Sequence, residues 1–247
     1  MKKTVVIVIG IVAVVAAITT VVALRGWPDA LVGSGNLETK EYDFADFTQV
    51  EIGSAFEFEV KQSSSYSINI TADDNVMDYV QVSKDGQTLK IGLRTGFGIF
   101  LGPVSATLRA SVTVPQLRGL TASGASSGTV SGFSSAEDLD VTVSGASRIT
   151  GDITAGNVQF GISGASTIQL EGSASDIDAN VSGASRLNLD DFTVNDVDVN
   201  FSGASSGTVN LNGRLDANLS GASTLWYIGE PTSTDINTSG ASTVTKK

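Results

Sequence analysis

The stretch VSGASRLNLD, Val181 to Asp190, decides how the rest of the chain is read. Its Ser-Gly-Ala-Ser unit also begins at Ser123, Ser144, Ser163, Ser202, Ser220 and Ser239, so seven copies follow one another at intervals of 21, 19, 19, 20, 18 and 19 residues. A fixed period of this size marks a stacked repeat architecture. In five of the seven copies the residues one, three and five before the Ser-Gly are all apolar: Val143, Val141 and Leu139; Ile162, Phe160 and Val158; Val181, Ala179 and Ile177; Phe201, Val199 and Val197; Leu219, Ala217 and Leu215. Between them stand polar residues such as Asp178 and Asn180, Asp198 and Asn200, Asp216 and Asn218. Strict period two describes a strand with one face in a core and the other in water. A second strand follows each tetrapeptide, with Ile168 and Leu170 inward around Gln169, and Leu187 and Leu189 inward around Asn188.

One such coil cannot bury its apolar face alone, but coils stacked at the ~4.8 Å inter-strand spacing enclose a continuous core between parallel sheets. The expected fold is an all-β parallel β-helix, or β-solenoid. Gly124, Gly145, Gly164, Gly183, Gly203, Gly221 and Gly240 are expected at its corners, where backbone angles barred to other residues are needed. Alanine is expected to pack where the walls converge, and the serines to bond backbone groups left open by the bend. A catalytic reading of the serines fails on the rest of the sequence. The chain has no histidine, and no lysine lies between Lys90 and Lys246 to form a Ser-Lys pair.

Composition agrees with strands and tight turns: 41% hydrophobic residues and 27 glycines. The lack of cysteine removes disulfides and thiolate chemistry. A net charge of −11 argues against a nucleic-acid partner, which would call for basic patches. No cofactor is expected.

The N-terminus sets the compartment. Lys2 and Lys3 precede an uncharged run from Thr4 to Leu24, 21 residues long, and a helix of about 20 residues spans a bilayer. The expected order is a cytoplasmic tail, 1–3, a transmembrane anchor or uncleaved signal, 4–24, a linker, 25–40, and the solenoid, 41–247. Paired lysines before the run place the rest outside the cytoplasmic membrane. Cleavage of the run would release a secreted product. Without Lys2, Lys3 and Arg25 the remainder holds 12 basic and 26 acidic residues.

The first half reads as a degenerate form of the same coil, with Val50 and Ile52 leading into Gly53-Ser54-Ala55, and Phe58 and Val60 inward afterwards. YSINIT and QTLKIGLR are further alternating strands, the latter after an Asp85-Gly86 hairpin turn. GFGIFLGP, Gly96 to Pro103, is expected to be an apolar loop covering an end or face.

Several segments, in this order, resemble a bacterial and archaeal family, the putative auto-transporter adhesin, head GIN domain: FTQVEIGSAFEFEVKQ, INITADDNVMDYVQVSKDGQTLKIGL, SVTVPQLRGLTASGAS, the recurring SGAS and the late YIGEP. The resemblance runs from about Phe47 to Val244. It implies a right-handed β-helix-like solenoid and a role in surface adhesion, and it carries no catalytic residues. The 247 residues contain no translocator barrel, so tethering is expected to fall to the N-terminal helix.

Stacking places Asp140, Gln159, Asp178, Asp198, Asp216 and Asp235 in one column, and Thr142, Gly161, Asn180, Asn200, Asn218 and Asn237 in another. Like charges so spaced repel by roughly 1 kcal/mol or less per pair in a water-like dielectric. The column reads either as a solvated acidic face or as a site for Ca²⁺ or Mg²⁺, with Asp178, Asp198, Asp216 and Asp235 as its carboxylates. Asp190-Asp191 could suggest a glycosidase pair; adjacent acids in one strand face opposite ways, so a turn is expected instead. Trp226 falls on the outward alternation, either exposed for a sugar ring or partner side chain, or covered by the segment EPTSTDINTSG. The leading expectation is a non-enzymatic, membrane-anchored envelope module that binds a glycan or protein ligand. The alternatives are a carbohydrate-active β-helix enzyme and an accessory of envelope-stress signalling, for which the tail 1–3 leaves no signalling domain.

Overall fold

The structure, a computed structural model, describes residues 31–94 and 104–247. Two sheets of 10 and 11 strands face each other across one core. Seven successive coils, those carrying SGAS, each give one strand to each sheet. In the coil around Val181 these are β16 (Asp176–Val181) and β17 (Arg186–Val194). β16 pairs in parallel with β14 (Val158–Ile162) before it and β18 (Asp196–Phe201) after it. β17 likewise pairs with β15 (Thr167–Ser173) and β19 (Ser206–Leu211). The solenoid continues through β20 (Arg214–Leu219), β21 (Thr224–Ile228), β22 (Ser233–Thr238) and β23 (Thr243–Lys246).

The apolar alternation read from the sequence is the core: Ile177, Ala179, Val181, Val197, Val199 and Phe201 are all at most 3% exposed. Volume is conserved between coils. Gly207 stands inward between Leu187 and Leu225, and a Cβ there would meet the Phe201 ring at 2.7 Å. The aromatic ring thus fills the space that the glycine vacates, as close packing requires.

The corners are where the sequence located them, but their buried residue differs. Ala125, Ala146, Ala165, Ala184, Ala204 and Ala222 are exposed, while the following serines, Ser126, Ser147, Ser166, Ser185, Ser205 and Ser223, are at most 2% exposed. The reason is hydrogen bonding. Ser205 Oγ donates to the Ser202 carbonyl at 2.8 Å and Ser223 Oγ to the Ser220 carbonyl at 2.9 Å. Successive hydroxyls also accept from the backbone of the coil before, as Ser147 Oγ does from Ser126 N–H at 3.2 Å. A small side chain able to donate and accept suits a corner where backbone groups miss the sheet ladders. Ser205→Ala is expected to cost about 1–2 kcal/mol, read as a lower urea midpoint, because it leaves a buried carbonyl short of a donor.

The N-terminal half departs from a plain coil. β3 (Gln49–Ile52) and β4 (Glu57–Gln62) do form a coil, in parallel register with β10 (Gly119–Ala122) and β11 (Ser127–Ser134). However, Gly53-Ser54-Ala55 is offset by one residue from the SGAS frame. Four residues, 53–56, face Ser123 to Ser126, so Ser54 stands beside Gly124 and Phe56 takes the buried serine's place. Ser54 and Ala55 accordingly hold φ of 62° and 65°. YSINIT and QTLKIGLR form strands as their alternation indicates, and the second stacks in parallel on Gln49–Ile52, but antiparallel partners interrupt the coil. β5 (Ser67–Asp73) runs antiparallel to β9 (Leu108–Val114), and β6 (Val80–Asp85) runs antiparallel to β7 (Thr88–Leu93) across the Asp85-Gly86 turn. A four-residue helix, α1 (Asp74–Met77), adds Val76 and Met77 to the core.

The expected linker also changes character. From Leu31 onward it is built into the fold, as β1 (Leu31–Val32) parallel to β8 (Val104–Ser105) and β2 (Leu37–Glu41) antiparallel to β5. β2 is an edge strand, almost wholly exposed. Backbone pairing rather than an apolar face holds it, so its sequence shows no alternation. Among the described residues no helix is long and apolar enough to cross a membrane; the run 4–24 and the loop Gly96 to Pro103 lie outside them.

Candidate ligand-binding face

Register brings the two polar columns together as the repeat spacing required. Asp178 pairs with Asp198, Asp198 with Asp216 and Asp216 with Asp235; Asn180, Asn200, Asn218 and Asn237 pair in the same order. Asp140 and Gln159 continue the acidic file, and Thr142 and Gly161 the other. The files are tied together within a strand: Asn180 Nδ2 donates to Asp178 Oδ1 at 3.1 Å, Asn218 Nδ2 to Asp216 Oδ1 at 3.2 Å and Asn237 Nδ2 to Asp235 Oδ1 at 3.3 Å. Beside the asparagines run Ser182, Ser202, Ser220 and Ser239, the first serines of their corners. Together they line a groove of about 550 Å³ along the solenoid axis. The sequence pointed to the two columns; the serine wall was missed because the corner serines were read only as structural.

The carboxylates stand in file rather than converging. Among the described residues no three acidic, histidine or cysteine side chains come together to hold a metal ion. Burial raises the Asp198 carboxyl above its ordinary range, the charges of Asp216 and Asp178 add to this, and Arg214 opposes it. Arg214 Nη1 donates to Asp216 Oδ2 at 3.3 Å.

The folded state holds the Asp198 proton more tightly than the unfolded chain, so this residue's contribution is favourable below the ordinary carboxyl value of 3.8 and is lost as pH rises through the raised folded value. At neutral pH Asp198→Asn is therefore expected to raise the melting temperature, by no more than about 1 kcal/mol of stability, and the gain should vanish in acid. Added NaCl should stabilise the wild type more than the variant. CaCl₂ at equal ionic strength should do no better; a larger calcium effect would mean a bound ion.

Trp226 is 38% exposed and stands on the outward side of its sheet between Thr208 and Thr245. The segment expected to cover it instead supplies β22 to the opposite sheet. Asp190 and Asp191 form neither a turn nor a pair on opposite faces. They lie inside β17 where the register shifts, between buried Leu189 and Phe192, so both point away from the core. Asp190 takes the Lys247 ammonium at 3.2 Å. The seven corner glycines all have positive φ, from 70° to 79°.

Structural comparison finds the same architecture in a putative adhesin from Bacteroides fragilis NCTC 9343, with a TM-score of 0.80 and 20% identity over 88% of this chain and 100% of that one. A putative lipid binding protein from Parabacteroides distasonis ATCC 8503 is also similar, with a TM-score of 0.67 and 21% identity over 89% of this chain and 100% of that one. A putative adhesin from Parabacteroides merdae ATCC 43184 gives 0.64 and 19%, over 89% and 99%. These likenesses show the fold. A comparison with curated proteins finds no match. The family model for the putative auto-transporter adhesin, head GIN domain matches residues 46–231, three quarters of the chain and nearly all of the solenoid, and the chain belongs to that family.

Proposed function

We propose that the chain is a non-enzymatic binding module of adhesin type, held outside the cytoplasmic membrane by the helix-length run 4–24, which presents its ladder-like polar face to an envelope glycan or protein. The observation that carries this reading is the groove over four coils, in which the same asparagine and serine recur at one strand spacing and no acid, base or nucleophile is singled out. A surface of that kind suits an extended ligand with its own repeat better than a single bond to be cut. Exposed Trp226 offers a second contact on the other sheet.

The full chain in lipid nanodiscs, applied to arrays of cell-envelope polysaccharides, should retain at least one of them without shortening it. Loss of retention in an Asn200→Ala/Asn218→Ala double variant would tie binding to the groove. Turnover of a uronic-acid polymer would replace the proposal with the enzyme reading, and retention unchanged in the double variant would move the site to Trp226.

A further inference from the structure

Each of the last four corners is preceded by an asparagine two residues before its first serine: Asn180-Val181-Ser182, Asn200-Phe201-Ser202, Asn218-Leu219-Ser220 and Asn237-Thr238-Ser239. Every one is an Asn-x-Ser triplet without proline, the acceptor sequence of asparagine-linked glycosylation. The outward position does not itself demand asparagine, because Thr142 and Gly161 hold it in two earlier coils.

The fold makes these triplets compatible with a bulky substituent. Alternation turns the middle residues Val181, Phe201 and Leu219 into the core, at most 3% exposed, and leaves all four asparagines exposed. Open space lies above them, in the groove of about 550 Å³ that they line. An asparagine substituted on Nδ2 keeps one N–H, enough to retain the bonds that Asn180, Asn218 and Asn237 make to their aspartates. Asn200 makes no such bond among the described residues. By contrast Asn69-Ile70-Thr71, a fifth triplet, sits half-buried in β5 between β2 and β9.

We infer that the asparagine file is a ladder of N-glycan acceptors. The donor is an oligosaccharide linked through phosphate to a membrane lipid, and the catalyst is a membrane oligosaccharyltransferase that reads the serine hydroxyl two residues on. The amide nitrogen forms a bond to the anomeric carbon as the bond from that carbon to the phosphate oxygen breaks. The lipid phosphate leaves with the electron pair, and the amide gives up one proton to a base of the transferase. Transfer takes place on the chain in transit, before folding, and the outward direction of all four side chains lets the finished solenoid carry the product. The inference rests on the extracytoplasmic reading above, since such transferases act on the translocated side of the membrane; where the file carries glycans they fill the groove, and exposed Trp226 on the other sheet remains as the ligand contact.

The test uses the full chain isolated from the membranes of its source organism. Trypsin separates the acceptors into the peptides Ile149–Arg186, Leu187–Arg214 and Leu215–Lys246, and mass spectrometry is expected to find a carbohydrate increment on at least one of the four asparagines. Replacing the serine two residues after an occupied asparagine by alanine should abolish that increment, and replacing it by threonine should keep it; for Asn200 these are Ser202→Ala and Ser202→Thr. Protease treatment of intact spheroplasts is run on the same cells. A chain that external protease degrades but whose four asparagines are bare overturns the ladder and leaves the location standing. A chain that protease cannot reach overturns both. An increment that survives the alanine change would mean a different modification and also overturns the ladder.

Discussion

Gly183→Val is expected to unfold the middle of the solenoid, at a cost of about 3–5 kcal/mol, whereas Ser185→Ala two residues away should cost about 1 kcal/mol. Gly183 has φ of +79°, and a Cβ placed on it would lie 2.3 Å from the carbonyl oxygen of Gly164. That carbonyl cannot retreat, because it accepts the Ala184 N–H at 2.8 Å and so joins one coil to the next. The left-handed conformation alone costs a residue with a side chain roughly 1–2 kcal/mol, and the clash adds to it. Ser185 has only long bonds to lose, 3.3 Å to the Gly164 carbonyl and 3.4 Å from Ser166 N–H. Urea titration of the two variants checks the ranking, and equal midpoints would show that coil stacking does not depend on the glycine. Gly172 is under the same constraint inside a strand: at φ of +117°, its Cβ would lie 2.0 Å from the Ile153 carbonyl oxygen.

The second large effect is expected at the N-terminal end of the molecule, where Asp73→Ala should destabilise the cap by about 2–4 kcal/mol. Asp73 is 2% exposed. Its Oδ1 accepts the Gly35 N–H at 2.7 Å and its Oδ2 the Thr107 N–H at 2.7 Å, so one carboxylate ties the segment before β2 to the start of β9. Gly33 lacks a side chain for the same reason, since a Cβ there would fall 2.2 Å from Asp73 Oδ2. Asp73→Asn is expected to cost nearly as much as the alanine change, because its NH₂ group would face a backbone donor where an acceptor is needed. Hydrogen exchange is the discriminating measurement. Amides of β2 and the end of β5 should lose protection in both variants while β16 and β17 keep theirs, as befits a repeat protein whose ends can open separately. Protection in β2 that survives Asp73→Ala would mean that the edge pairing alone holds the cap.

The sequence by itself determined the coil. Period two in Ile177, Ala179 and Val181, a glycine in every corner and a spacing near that of one turn left a single way to bury the apolar faces, and the acidic and asparagine files followed from register. Such features are legible because each is a local pattern repeated, and repetition separates pattern from chance. Only the tertiary structure decided what has no repeat or no side-chain signature. Leu37 to Lys40 reads as linker because an exposed edge strand is held by backbone groups identical in every residue. Gly53-Ser54-Ala55 imitates the corner motif, and only pairing with β10 and β11 revealed its one-residue offset. Asp190-Asp191 became a bulge because of the strands beside it. Ser185 and Asp73 look like surface residues until the unmet backbone groups around them are counted; a buried polar side chain is chosen by what the rest of the chain leaves unbonded, and that is settled only when the coils have closed.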